Sequence, residues 1–255
     1  MLKVGVYGAN GRVGQLLVKN LSEDPDTRVA ALCERDRIDF HAPEGSVVTN
    51  DAKIFLDSCD AAIDFTVPEA TEALLKAAMD RPRPLVIGTT GLNDAQRALL
   101  EEASEIMPIL YATNMSAGIA LLKKLVQMTA EKLGDFDIEI VEQHHRYKKD
   151  APSGTALTLA EFAARGRGLD LEKVRVSCRD GITGERKKEE IGVMAIRGGD
   201  VVGRHTVGFY NDGEFIELNH TATSRETFSK GAVRACKWLV NQPAGLYDIS
   251  DCLGL

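Results

Sequence analysis

The sequence predicts an α/β protein: a Rossmann-like, parallel-sheet nucleotide domain followed by a smaller α+β domain built on an open mixed sheet. Three observations carry that expectation. Over roughly the first 115 residues, short runs that are apolar throughout alternate with helical patterns, as a parallel sheet covered on both faces requires. A glycine-rich turn, "GANGRVG" (Gly8 to Gly14), stands between the first run and the first helix. Beyond the helix that follows this half, strand-like segments succeed one another with few helices between them, which suggests mostly antiparallel neighbours.

Taken in order, "KVGVYG" (Lys3–Gly8) reads as the first strand and Arg12–Leu21 as the first helix. Further strands are predicted at "RVAALC" (Arg28–Cys33), "AAIDFT" (Ala61–Thr66), "PLVIGTT" (Pro84–Thr90) and "PILYAT" (Pro108–Thr113). Pro68 suits the first turn of one intervening helix, and Asn93 with Gln96 three residues on forms a capping box for another. Asp36–Asn50 is polar and unpatterned. Gly118–Leu133 predicts a long helix, with Leu121, Leu122, Leu125, Val126 and Met128 among its apolar positions. "DIEIVEQ" (Asp137–Gln143) begins by alternating, and Ser153–Ala164 makes a helix closed by Gly166. Strands are then expected at Val174–Cys178, Ile191–Arg197, His205–Tyr210 and Glu214–Thr221, the last two joined at "YNDGEF" with Gly213 available for positive φ. Thr223 with Glu226 caps a final helix to about Val240. That helix and the tail "GLYDISDCLGL" are expected to return to the first domain. The predicted domains are 1–116 with 225–255, for dinucleotide binding, and 117–224, for substrate binding and oligomerisation.

Composition narrows the function. Of 255 residues, 44% are hydrophobic and 27% charged, ordinary for a globular protein. The 31 basic residues against 38 acidic ones argue against nucleic acid as partner, because a phosphate backbone selects a basic face. No apolar run reaches the roughly 18 residues of a membrane span. A strand-like run begins at Leu2, which predicts neither a signal nor a transit peptide. Cys33, Cys59, Cys178, Cys236 and Cys252 are scattered and form no Cys-x-x-Cys pair, so neither a disulfide framework nor a zinc site is indicated and a reducing cytoplasm is expected.

The glycine turn has the strand–turn–helix context of a dinucleotide site, where a tight turn lets the backbone approach a pyrophosphate and a helix N-terminus faces it. Its spacing is Gly-x-x-Gly-x-x-Gly, with Asn10 where a middle glycine often stands, and Arg12 adds a cation. Glu34, after the second strand, is placed to accept hydrogen bonds from an adenosine ribose diol, favouring NAD. Arg35 beside it suits a 2′-phosphate, favouring NADP. With both present, NADH and NADPH remain open. "GTTG" (Gly88–Gly91) and "ATNMS" (Ala112–Ser116) follow later strands of this half and read either as polar turns or as contacts to the nicotinamide side.

The densest chemistry lies in "EQHHRYKKDAPSGTA" (Glu142–Ala156), a cluster of positive charge in a chain of net charge −7. It reads either as a solvated basic loop or as a pocket for a small anion with a built-in proton donor. In such a pocket, His144 donates near neutral pH, where an unperturbed imidazole titrates. Lys148 places a second cation near a carboxylate or donates the proton itself. Ser153, Gly154 and Thr155 open a helix whose initial N–H groups suit another carboxylate, and Gly154 has no side chain to block the approach. Arg146, Tyr147 and Lys149 read as surface residues, Asp150 as a brace, and His205 and His220 as packed strand residues. Arg225 is a further candidate at the head of the returning helix. Adjacent histidines without a partner at ligand spacing predict no metal.

The same segment closely resembles the signature of the dihydrodipicolinate reductase family. So do "GANGRVG", "GTTG", "ATNMSAG", "RGGDVVGRHTVGF", "HTATSRETF", "GAVRACKWL" and "GLYDISDCLGL", in that order, so the resemblance spans nearly the whole chain. It implies an oxidoreductase of lysine and diaminopimelate biosynthesis that passes hydride from NADH or NADPH to C4 of a cyclic unsaturated dicarboxylate, giving tetrahydrodipicolinate, and that assembles as a homotetramer through its second domain. By motif position, His144 takes the acid/base histidine's role and Lys148 that of the proton-donor lysine. His145, Gly154 and Thr155, with Ser153 and Thr90, fall to substrate binding. Gly8, Ala9, Asn10, Gly11, Arg12, Val13, Glu34, Arg35, Gly88, Thr89, Thr90, Ala112, Thr113, Asn114 and Met115 fall to the cofactor. Tyr7 and Asn10 depart from the family's usual choices. Two other readings compete: an aspartate dehydrogenase-like oxidoreductase acting on another imine or amino acid, against which Lys148 and Pro152–Thr155 speak, and a catalytically silent nucleotide-binding regulator.

Overall fold

The structure, a computed structural model, describes residues 1–255. The chain divides into two compact units, Met1–Ala117 with Glu226–Leu255, and Gly118–Arg225. The first run of elements is β1 (Leu2–Tyr7), α1 (Arg12–Glu23), β2 (Thr27–Cys33), β3 (Val47–Thr49), α2 (Ala52–Asp57), β4 (Ala61–Asp64), α3 (Pro68–Asp80), β5 (Leu85–Ile87), α4 (Asp94–Ser104) and β6 (Pro108–Tyr111). Next come α5 (Ala117–Lys132), β7 (Asp137–His144), α6 (Gly154–Arg167), α7 (Leu171–Val174), β8 (Arg175–Val176), β9 (Ile191–Arg197), β10 (Gly203–Asn211) and β11 (Glu214–Ala222). The chain closes with α8 (Glu226–Leu239), β12 (Gly245–Tyr247) and α9 (Ile249–Leu253).

In the first unit, seven strands lie in the order β12-β6-β5-β4-β1-β2-β3, and every pairing is parallel. Chain order runs one way from β1 to β3 and the other way from β4 to β6, so the sheet's switch point falls at the end of β1. The central strands are covered on both faces, which is why Val4, Val6, Ala61 and Ile63 are all inaccessible. Helix α1 turns Gly14, Leu17, Val18 and Leu21 inward at helical spacing. Full burial of Leu17 and Leu21 contributes about 1.5–3 kcal/mol each relative to exposure. Pro68 begins α3 with Val67 at its N-cap, and the Asn93–Gln96 capping box is formed in both directions at α4. Helix α8 and strand β12 belong to this unit, and β12 extends its sheet beyond β6.

In the second unit, five strands lie in the order β11-β10-β7-β9-β8. Two pairings are antiparallel (β10 with β11 and with β7) and two are parallel (β9 with β7 and with β8), so antiparallel neighbours do not predominate. The parallel half follows from α6 and α7, which return the chain so that β9 runs alongside β7. A core formed by α5, α6 and one sheet face contains Val126, Leu159, Ile138, Ile140, Val207 and Phe209.

Four local expectations need correction. Helix α6 does not end at Gly166; it runs to Arg167, with left-handed Gly168 (φ 65°) as its cap. Val174–Cys178 is mainly the end of α7 and a two-residue strand. Helix α8 starts at Glu226, three residues after Thr223, and the Glu226 carboxylate pairs with Lys19 and Lys230. The polar stretch Asp36–Asn50 contains β3, and α2 follows it with Asp51 accepting from the Lys53 and Ile54 amides.

Candidate active site

In the first unit, the chemistry gathers at the carboxyl ends of β1, β2, β4, β5 and β6. Gly8 takes φ 84°, and the amides of Gly8 and Ala9 donate to the Cys33 carbonyl at 2.9 and 3.4 Å. The Gly11 amide closes the turn onto the Gly8 carbonyl at 3.1 Å. A Cβ at Gly14 would lie 2.1 Å from that same oxygen, so only glycine lets α1 start this close to the strand end. Arg12 is exposed, Val13 half-buried and Ala9 fully buried.

Asn10 is the clamp of this loop. Its backbone N–H donates to a Glu34 carboxylate oxygen at 2.9 Å, its side-chain amide donates to the Arg37 carbonyl at 3.0 Å, and its side-chain oxygen accepts from the Asp39 amide at 2.9 Å. The departure from a middle glycine thus fastens the segment after β2 onto the turn. The exposed Arg35 guanidinium pairs with Asp36 at 3.2 Å. A cavity of about 700 Å³ opens here, lined by Gly8, Asn10, Gly11, Glu34, Arg35 and Thr66 among others. Its size and its glycine turn fit part of a dinucleotide.

Beneath the neighbouring loops lies Asp64, a buried carboxylate that accepts from the hydroxyls of Thr66, Thr71 and Thr89. Burial pushes its carboxyl up to about 6 against the opposing pull of those hydroxyls. The Thr89 hydroxyl also accepts from the Thr66 amide at 3.0 Å, so the side chain of Thr89 is spent inside the protein. Gly88 carries the Phe65 ring where a side chain would be, whereas Thr90 is exposed. In the last loop, Ala112 donates to the Ile87 carbonyl, Asn114 accepts from the Ser116 amide, Thr113 is exposed, and Met115 is buried with its carbonyl against Gly231.

In the second unit, β7 carries Ile138, Ile140, Glu142 and His144 on one face, by strand alternation. The isoleucines enter the core, and Glu142 is fully buried at its margin. A buried carboxylate requires partners, and Glu142 has four bonds. It takes His144 Nδ1 at 2.6 Å, both terminal nitrogens of Arg197 at 2.7 and 2.8 Å, and the Ser153 amide at 2.9 Å. Burial raises this carboxyl, but the Arg197, His144 and Ser153 bonds outweigh it and hold it below the usual glutamate range. Burial lowers the His144 imidazole below its ordinary value, and the Glu142 bond offsets this only in part.

Around this pair, Lys148 Nζ meets Asp150 at 2.9 Å, and the His145 carbonyl accepts from the Lys148 amide. His145 is half-buried, its ring 6.2 Å from that of Tyr147. Ser153 is the N-cap of α6: its hydroxyl accepts from the Ala156 amide and lies 3.3 Å from His205 Nε2. Gly154 and Thr155 follow as the first residues of the helix, where amides have no intrahelical acceptor. His205 is buried with its ring 5.3 Å from that of His144, and burial, with the adjacent His144, lowers it to about 4.

Sequence reading missed three of these residues. Glu142 lies two positions before His144 on a strand, a signal that was available. Arg197 is 55 residues from Glu142 and only the β7–β9 register brings them together. Asp64 sits in an apolar run and gave no pattern.

The chain matches the family described as dihydrodipicolinate reductase, N-terminus, over residues 2–115, and dihydrodipicolinate reductase, C-terminus, over 118–253. It belongs to the dihydrodipicolinate reductase family. Relatives named 4-hydroxy-tetrahydrodipicolinate reductase include that of Nitratiruptor sp., 66% identical with all of both chains covered, and that of Sulfurimonas denitrificans, 65% identical over 99% of each. Among solved structures, a dipicolinate-bound dihydrodipicolinate reductase from Paenisporosarcina sp. TG-14 shares the fold, with a TM-score of 0.78 at 24% identity over 97% of each chain. Family membership makes the chain an oxidoreductase, and this reductase family uses NAD(P)H.

Proposed function

We propose that this chain is a 4-hydroxy-tetrahydrodipicolinate reductase, acting on a cyclic unsaturated dicarboxylate at C4 to give tetrahydrodipicolinate for lysine and diaminopimelate synthesis. The observation that carries the reading is a half-buried imidazole held by a buried carboxylate beside Lys148 and a helix start. Bound NADH or NADPH supplies the hydride. Gly8, Ala9, Asn10, Gly11, Arg12 and Val13 would hold its pyrophosphate, Glu34 and Arg35 its adenosine end, and Gly88 to Thr90 with Ala112 to Met115 its nicotinamide end.

Reduction at C4 of a conjugated imine moves electron density to C3, which must gain a proton. His144 and Lys148 are the proton donors of the second unit, while His145, Gly154 and Thr155 bind the substrate's carboxylates. Because its amide serves Glu142 and its hydroxyl caps α6, Ser153 acts by holding that helix start in place. The first unit is thus the coenzyme domain and the second the substrate domain. A homotetramer through the second unit agrees with the exposure of β11, where Phe215 and Ile216 lie open at 63% and 43%. No helix is long and apolar enough to cross a membrane, and a cytoplasmic location agrees with five free cysteines.

The test is the loss of coenzyme absorbance in the presence of freshly generated dihydrodipicolinate synthase product. Oxidation that depends on that product supports the reading. Oxidation with aspartate-derived imines instead, or none with either, overturns it.

A further inference from the structure

We propose that Arg197 and Glu142 act together as a positioning brace that fixes which nitrogen of His144 carries the reactive proton. This inference rests on the reading of His144 as a proton donor. Glu142 takes Nδ1 at 2.6 Å, which assigns that nitrogen a hydrogen in either protonation state and reserves Nε2 for the substrate. The opposite side of the ring is kept open by Gly203, where a Cβ would lie 3.0 Å from Nε2.

The role of Arg197 differs from that of a simple ion-pair partner. It pairs with His144 in the β7–β9 register, yet its guanidinium grips both Glu142 oxygens. The same Nη2 donates to the Asp150 carbonyl at 2.7 Å, and the Asp150 carboxylate meets Lys148. One guanidinium therefore ties both proton-donor candidates to one frame. Electrostatically it divides the attention of Glu142. Had the carboxylate only His144 as partner, it would stabilise the imidazolium more strongly and make it a weaker acid, slower to give up its proton near neutral pH. With Arg197 sharing the charge, the ring stays able to gain and lose its proton. The other charged or titratable groups that act on the ring, Lys148 and His205, do not add negative charge.

Opposite effects of the two partners test this. Nitrogen-15 NMR of the histidines in the full-length protein reads both the tautomer and the titration of His144. Arg197→Met is expected to raise the His144 midpoint by about one unit or more, because the unshared carboxylate then favours the cation. Glu142→Gln is expected to lower it and to release the Nδ1–H tautomer, with kcat down about tenfold or more and coenzyme affinity unchanged. Removal of one partner of a buried pair can prevent folding, so the double variant Glu142→Gln/Arg197→Met, with no buried charge left alone, is the companion. It is expected to fold and to show a mixed tautomer. An unchanged His144 titration in Glu142→Gln, or a retained pure Nδ1–H tautomer in the double variant, overturns the brace. A wild-type protein with the expected titration and tautomer but no reduction of the dicarboxylate overturns the functional reading instead.

Discussion

Gly166 lies against the backbone of Gln127, so close that a Cβ would sit 2.4 Å from the Gln127 carbonyl oxygen. Helices α5 and α6 meet here without a side chain between them. The glycine is inside α6, where it costs about 1 kcal/mol of helix propensity relative to alanine, and close packing is what retains it.

Gly166→Ala is therefore expected to destabilise despite the better propensity. Overpacking costs about 1–3 kcal/mol, which exceeds the propensity gain in most of that range. Gly134→Ala is the control, since a Cβ there meets nothing within 4 Å and φ is not positive. Urea unfolding midpoints of the two variants should fall on opposite sides of the wild type, or at least differ in that order.

At the glycine turn, Gly14→Ala places a methyl 2.1 Å from the Gly8 carbonyl and must push α1 away from β1. Coenzyme affinity is expected to drop tenfold or more, while the parent substrate's KM at saturating coenzyme changes little. Fluorescence titration with NADH and NADPH measures the loss, and an unchanged Kd would remove the turn from the coenzyme site.

His144→Gln is expected to lower kcat by about 100-fold or more, the usual contribution of a positioned acid, with coenzyme binding intact. In the wild type, kcat/KM governed by a protonated imidazole falls as pH rises through the His144 midpoint, which burial places below the ordinary histidine value. Lys148→Ala should weaken both substrate affinity and rate. Steady-state kinetics from pH 5 to 9, roughly the span in which these groups matter, checks all three.

Two buried groups give stability opposite pH dependences. Asp64 has its folded value raised to about 6, so the stability it contributes is complete below its unfolded value near 4 and is lost as pH climbs through 6. Two units correspond to about 3 kcal/mol. His205 is depressed to about 4, so its contribution is present above the unfolded value and disappears as pH falls toward 4. Asp64→Asn should flatten the first slope and His205→Gln the second, each read as the difference from wild type in denaturant unfolding between pH 4 and 7.

The motifs announced themselves in the sequence because each depends on near neighbours. Gly8 to Gly14 needs only a strand before it and a helix after it, and the Asn93–Gln96 box closes within a single turn. Short or boundary elements were less legible. Strand β3 is three residues on the rim of a sheet, too few to display a period, and its assignment depends on pairing with β2. The cap of α6 lies two residues beyond the glycine expected to close it, because a glycine can mark either a cap or a close contact. Gly168 is the cap, and Gly166 is the contact.

What the sequence by itself determined, then, was the α/β class, the phosphate turn, and the His144–Lys148–Ser153 segment that named the family. The tertiary structure decided which partners tune them. Arg197 reaches Glu142 from another strand, Asp64 gathers three threonine hydroxyls from separate segments, and Asn10 clamps a loop that shows no periodicity. The physical reason is common to all three. Local conformation follows from residues a few positions apart, whereas the full set of partners that a polar group needs inside the fold includes groups that folding brings from far along the chain.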